Sequence, residues 1–295
     1  MIHKPTLLSI HPTAQCEYHC HNCYLQAGND ANRQEREPEF FVELIRVAKK
    51  IGMRDIAISA NNVFSQGDKN AYYFDKLKKE TLDCGLDFSM TCNHDFIHRY
   101  LKEKDFNGIS LVSVSINDFV TPTDEKKTDA IEAMRKMKGP AGEINCNVLL
   151  SDSMVKHLNN GLAEKILEVS DTIFLLASQP LYVPVQKVYD MIGKLKPELM
   201  NMISDRILMD SCIRREMGLT GGICSKHDFI YVNPYGEIKR CSYDQRNLFI
   251  LEKPSDLEYI YGKEYPASPL DTCDLVNGQY LKEKKAGKIV SSISL

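Results

Sequence analysis

Leu7-Leu8-Ser9-Ile10, followed by Cys16-Glu17-Tyr18-His19-Cys20-His21-Asn22-Cys23, is the stretch on which the rest of this chain turns. A short apolar run delivers the backbone directly into a polar loop with three thiols, at spacings of four and three. Soft thiolates that fold around one turn of chain suit a multi-iron centre. Three of them hold only three irons of a cubane cluster, which leaves the fourth iron open to another ligand. His19 and His21 interleave with the thiols, so zinc is the rival occupant. Structural zinc usually pairs two Cys or His knuckles, and no close second knuckle follows.

Working outward from that loop, apolar strand-like runs alternate with helical patterns. A helix is expected over 38–51, with Phe41, Leu44, Ile45 and Ala48 on one face and Gly52 ending it. Strands are expected over 55–60, 86–91, 109–116, 144–150 and 172–177. Helices are expected over 72–84, 95–102, 124–137, 158–168, 185–195 and 197–209. Six strand-then-helix units imply right-handed crossovers and a parallel sheet. The fold class expected is therefore α/β, a partial (β/α)6 barrel of parallel strands. In such barrels the chemistry gathers at the C-terminal ends of the strands. The cysteine loop follows the first strand, at that end.

Composition bounds the alternatives. A chain of 295 residues, 43% hydrophobic, has material for one large core, or for one core and a small satellite. Net charge is −3 with no long basic run, which disfavours a nucleic-acid partner. No signal stretch and no run of eighteen apolar residues is present, so no membrane partner and a cytoplasmic location are expected. Ten cysteines without a secretion signal argue for metal ligation rather than disulfides.

The spacing Cys16-x3-Cys20-x2-Cys23, with Tyr24 after it, resembles the signature of the radical S-adenosylmethionine (SAM) superfamily. The resemblance implies a 4Fe-4S cluster on Cys16, Cys20 and Cys23, whose open iron is chelated by SAM. It also implies SAM-binding groups at successive strand ends. Where the family carries Gly-Gly-Glu after the second strand, this chain reads Ser59-Ala60-Asn61-Asn62. Ser59, Asn61 and Asn62 offer oxygen acceptors to an ammonium but no fixed negative charge. Thr91-Cys92-Asn93 resembles the Thr-Asn pair after the third strand, which puts Asn93 among the cofactor-binding candidates. Strand four resembles the stretch that faces SAM ribose and methionine, and alternation puts Ser113, Ser115 and Asn117 on one face. Asn145 and Asn147 repeat the pattern on strand five. Helix-capping or turn roles are the ordinary alternative for these residues.

From residue 210 onward the alternation is lost. Residues 229–232, the turn Asn233-Pro234-Tyr235-Gly236 and residues 237–240 read as a β-hairpin. The expected pairing sets Asp228 opposite Cys241, with Cys224 toward the same end and Cys273 arriving later. This pattern resembles the Twitch/SPASM extensions that carry auxiliary clusters. The expected domains are 1–209, the radical SAM partial barrel, and 210–295, a small α+β hairpin extension. The implied ligands of a second 4Fe-4S cluster are Cys224, Cys241 and Cys273, with Cys212 or substrate as the fourth. Buried free cysteines are the alternative. Cys84, near a helix end, reads as packing, and Cys146 falls in a barrel element. Cys92, at a strand end, is a candidate hydrogen-atom donor.

The resemblance implies reductive cleavage of SAM to a 5′-deoxyadenosyl radical that abstracts hydrogen from a substrate, with flavodoxin or ferredoxin as electron donor. Only fifteen residues precede Cys16, leaving no room for an N-terminal peptide-recognition domain. A peptide substrate is expected (epimerisation, dehydrogenation or cross-linking), with a small metabolite such as an aminoglycoside-type sugar as the second reading. A non-catalytic zinc or iron–sulfur binding protein is the reading from another class, supported by the missing Gly-Gly-Glu.

Overall fold

The computed structural model describes residues 5–14, 18, 20, 33–59, 68–100, 102–177, 185–203, 205–210, 229–239 and 249–262. Their strands and helices alternate in a mostly parallel α/β arrangement, as the sequence pattern requires. The chain divides into two compact units. One comprises residues 1–113, 139–143 and 225–267; the other comprises 114–138, 144–224 and 268–295.

In the first unit β1 (Leu7–Ile10) lies between β2 (Asp55–Ser59) and β8 (Phe229–Val232), parallel to both. β3 (Asp87–Cys92) continues the parallel sheet beyond β2. β9 (Glu237–Lys239) and β10 (Phe249–Ile250) extend it antiparallel beyond β8. Helix α1 (Pro38–Lys50) starts with Pro at its first position and buries Phe41, Leu44, Ile45 and Ala48. It stops where Gly52 takes a φ of 91°, a left-handed turn that costs glycine nothing. Helices α2 (Asp68–Asp83) and α3 (His94–Tyr100) follow β2 and β3. Phe74 of α2 packs edge-on against Phe88 and Phe96, with ring centroids 5.9 and 5.7 Å away. Leu8, Ile10, Ile56, Ile58, Phe88 and Met90 complete a core almost wholly removed from water.

β4 (Ile109–Ile116) begins in the first unit and finishes in the second. The second unit then carries α4 (Asp124–Met137), all of β5 (Glu143–Leu149) after its first residue, α5 (Asp152–His157), α6 (Ala163–Leu167) and β6 (Thr172–Leu176). The helix expected over 158–168 is thus in pieces, because Gly161, at φ 98°, breaks the regular turn. α7 (Val185–Ile192) and α8 (Pro197–Met200) come next. The helix expected over 197–209 ends at Met200, and Ile207–Met209 instead forms β7, parallel to β6. Asn201 and Asp205 are weak helix formers, and the apolar triplet gains more as an added strand. α9 (Asp256–Gly262) closes the described chain.

Candidate functional site

The chain leaves β1 through His11, whose N–H donates to Val232 O at 2.8 Å. The His11 ring is buried, with Nδ1 3.2 Å from the Tyr231 hydroxyl. Burial pushes its pKa down to about 3, outweighing a hydrogen bond with the Thr13 backbone that acts the other way. His11 is therefore neutral at physiological pH. Two residues on, the Glu35 carboxylate accepts the Ala14 N–H at 2.7 Å and the Thr13 hydroxyl at 2.9 Å. Within the loop, the Tyr18 hydroxyl donates to the Asp95 carboxylate in the first turn of α3. Cys20 is half-buried, while Cys16 and Cys23 lie outside the described residues. His94, wholly buried beside Asp95, brings Nε2 to 3.6 Å from Asp95 Oδ1.

Two contacts thus hold the loop. Glu35 grips Thr13 and Ala14 at its base, and the Tyr18–Asp95 bond brings Tyr18 to the C-terminal end of β3. Sequence reasoning missed both carboxylates, since no spacing signal links Glu35 or Asp95 to the cysteine motif. By donor chemistry alone three thiols suit a cluster with an open corner, and of the three Cys20 is the one among the described residues.

The strand ends divide by face. In β2, Ser59 pairs with Thr91, and Asn61 and Asn62 lie outside the described residues. In β3, Ser89 and Thr91 are half-buried, whereas Phe88, Met90 and Cys92 are buried on the opposite face. Cys92 is wholly buried among that apolar set, and burial alone pushes its thiol far above the ordinary range. Burial thus keeps Cys92 in the protonated S–H form, packed against Phe88 and Met90 on that face. Cys146 shares its chemistry, wholly buried on the packed face of β5.

Asn93 caps α3, its Oδ1 accepting the Phe96 N–H at 2.8 Å. Asn117 Oδ1 accepts the N–H groups of Phe119 and Val120, each at 2.9 Å. Both carbonyl oxygens shape turns at the ends of their strands. Ser113 and Ser115 share one face of β4 by alternation, and they and Asn117, just past the strand, are buried. Asn145 accepts the Thr172 hydroxyl, and Asn147, opposite Phe174, is half-buried.

The hairpin forms as expected, but in a different register. Tyr231 pairs with Lys239 and Val232 with Ile238, one residue removed from the pairing that set Asp228 opposite Cys241. Its turn is built by Asn233, whose Oδ1 accepts the N–H groups of Tyr235 and Glu237 at 3.1 and 2.9 Å. Gly236 has a φ of 79°. The Glu237 side chain is 6% exposed; burial opposes its charge, but hydrogen bonds from Arg33 and Asn233 prevail and hold its carboxyl below the usual range. Cys212, Cys224, Cys241 and Cys273 lie outside the described residues.

No protein-family model matches the chain. It is 25% identical over 158 residues to a probable GTP 3′,8-cyclase of Thermococcus kodakarensis, a match covering 53% of this chain and 50% of that protein. The chain thus pairs with about half the length of this curated relative. Its fold is that of Streptococcus suis SuiB bound to the precursor peptide SuiA, with a TM-score of 0.62, 13% identity, and coverage of 91% of this chain and 66% of that one. It is similarly that of anSMEcpe with bound AdoMet and the Cp18Cys peptide, with a TM-score of 0.59, 13% identity, and coverage of 97% and 86%. No helix among the described residues is long and apolar enough to cross a membrane. The chain thus shares the α/β fold of SuiB and anSMEcpe, and half of it is related in sequence to a probable GTP 3′,8-cyclase.

Proposed function

We propose that the chain is a radical SAM enzyme whose cluster sits on Cys16, Cys20 and Cys23. The observation that carries this reading is the Tyr18–Asp95 bond, which brings Tyr18 of the cysteine loop to the C-terminal end of β3, where SAM-binding groups are expected. Bound there, a 4Fe-4S cluster with SAM supplies one-electron cleavage of the sulfonium bond and hydrogen abstraction from a substrate. The protein's part is to hold and orient. Glu35 and Asp95 fix the loop at Ala14 and Tyr18, while Asn93 and Asn117 shape the turns after β3 and β4. Ser59, Asn61 and Asn62 stand in for an acidic grip on the SAM amino group. Ser113, Ser115, Asn145 and Asn147 supply further polar contacts. A flavodoxin or ferredoxin is the expected electron donor.

The proposed substrate is a peptide, supported by the peptides bound to the similarly folded SuiB and anSMEcpe. A small metabolite is the second reading, supported by the sequence match to a probable GTP cyclase. Residues 210–295 are read as an auxiliary-cluster extension, with Cys224, Cys241, Cys273 and Cys212 or substrate as ligands. Protein reconstituted anaerobically and given dithionite and SAM is expected to release 5′-deoxyadenosine. Release no greater than from Cys20→Ala would favour a non-catalytic metal protein. In the same preparation, iron of about eight atoms per chain, falling to about four without Cys16, Cys20 and Cys23, would support the second cluster.

A further inference from the structure

Residues 33–37 follow the cysteine motif, form no regular element, and are bonded to two partners. On the hairpin side, the Arg36 N–H donates to Pro234 O at 2.8 Å. Its guanidinium reaches Tyr235 O at 3.3 Å and Leu251 O at 2.8 Å. Arg33 lies 3.8 Å above the Tyr235 ring and ion-pairs with buried Glu237. On the loop side stands Glu35, holding Thr13 and the backbone of Ala14. All of these residues belong to one compact unit.

A carboxylate that accepts a backbone N–H makes a charge-assisted bond, stronger than a neutral one. A buried carboxylate such as Glu237 is costly to leave without its cation, so the Arg33 anchor resists release. The two ends of the segment are therefore both firm, with only Gln34 between Arg33 and Glu35.

We propose that residues 33–37 are a strap that transmits the position of the C-terminal hairpin to the base of the cysteine loop. Glu35 is the positioning residue at the loop, and the Arg33–Glu237 pair is the anchor in the hairpin. The consequence for the cluster rests on the radical SAM reading; the mechanical coupling does not.

The test is amide hydrogen exchange on the full chain, read as the rate at Ala14 relative to the amides of β5. Glu35→Ala is expected to raise that ratio on the order of tenfold, the effect of losing one charge-assisted bond. Glu35→Gln, whose Oε1 can accept both bonds, is expected to restore most of the protection. Glu237→Gln is expected to raise the same ratio several-fold from the far end. The double variant Glu35→Ala/Glu237→Gln should exchange no faster than Glu35→Ala alone. In reconstituted protein, Glu237→Gln should also alter the electron paramagnetic resonance signal of the reduced cluster with SAM. An Ala14 ratio unchanged in Glu237→Gln, or multiplicative effects in the double variant, would overturn the strap. Absence of 5′-deoxyadenosine from the wild type would instead overturn the enzyme reading and leave the exchange result standing.

Discussion

His11 shows how a single side chain ties the first strand to the last part of the described sheet. Its ring is buried and neutral, with a pKa near 3. In the unfolded chain it takes up a proton below its ordinary value of about 6.5, while the folded form stays neutral. The unfolded state therefore binds more protons, and stability falls as pH drops from about 6.5 toward 3. Between pH 7 and pH 5, urea denaturation of the wild type should lose about 2 kcal/mol more than denaturation of His11→Gln, which has nothing to titrate. Equal losses would mean the ring is protonated when folded. Individual residues were unevenly legible. The period of two already separates Ser89 and Thr91 from Met90 and Cys92, so the burial of Cys92 was there to be read in the alternation. That Asn93 and Asn117 spend their oxygens on backbone N–H groups was also a known alternative. Nothing local announces Glu35, because its partners lie more than twenty residues earlier in the chain.

At the scale of elements, the β8–β9 hairpin depends on Gly236. A Cβ there would meet Leu251 O at 3.0 Å and Arg36 Nε at 3.1 Å, in a backbone conformation that side chains rarely adopt. Gly52 has a similar positive φ but open space around it. Gly52→Ala should thus cost about 1 kcal/mol, for φ alone, and Gly236→Ala about 2 kcal/mol or more. Thermal melting of the two variants checks the order, and a reversed order would refute the account. Elements were the most legible level. Strands β1 to β6 and most of their helices follow from period and punctuation, α5 lying ahead of the helix expected over 158–168. β7 escaped because three residues carry too little periodicity, and its pairing with β6 is a tertiary gain. The hairpin register slipped by one because turn chemistry identifies the turn without fixing which residues across it pair.

For the molecule as a whole, the hairpin is tied to the first strand, since β8 pairs in parallel with β1 along all four residues. No local signal in the sequence states that neighbour relation. A chain ending at residue 209 would strip β1 of this partner and bare Leu8, Ile10 and His11, which are at most 2% exposed in the full structure. Such a fragment is expected to be insoluble or to melt without cooperativity, as judged by circular dichroism against the full chain. A fragment that melts like the full chain would show β8 to be dispensable.

That pairing has a consequence for how the protein is made. His11 and Tyr231, in contact in the finished molecule, are 220 residues apart in the chain. At translation speeds of about 5–20 residues per second, roughly ten to forty-five seconds pass between synthesis of the two. Throughout that interval β1 presents a naked edge, ready to zip onto the same strand of the next nascent copy on the polysome. Slower translation therefore lengthens the time that this edge waits for β8.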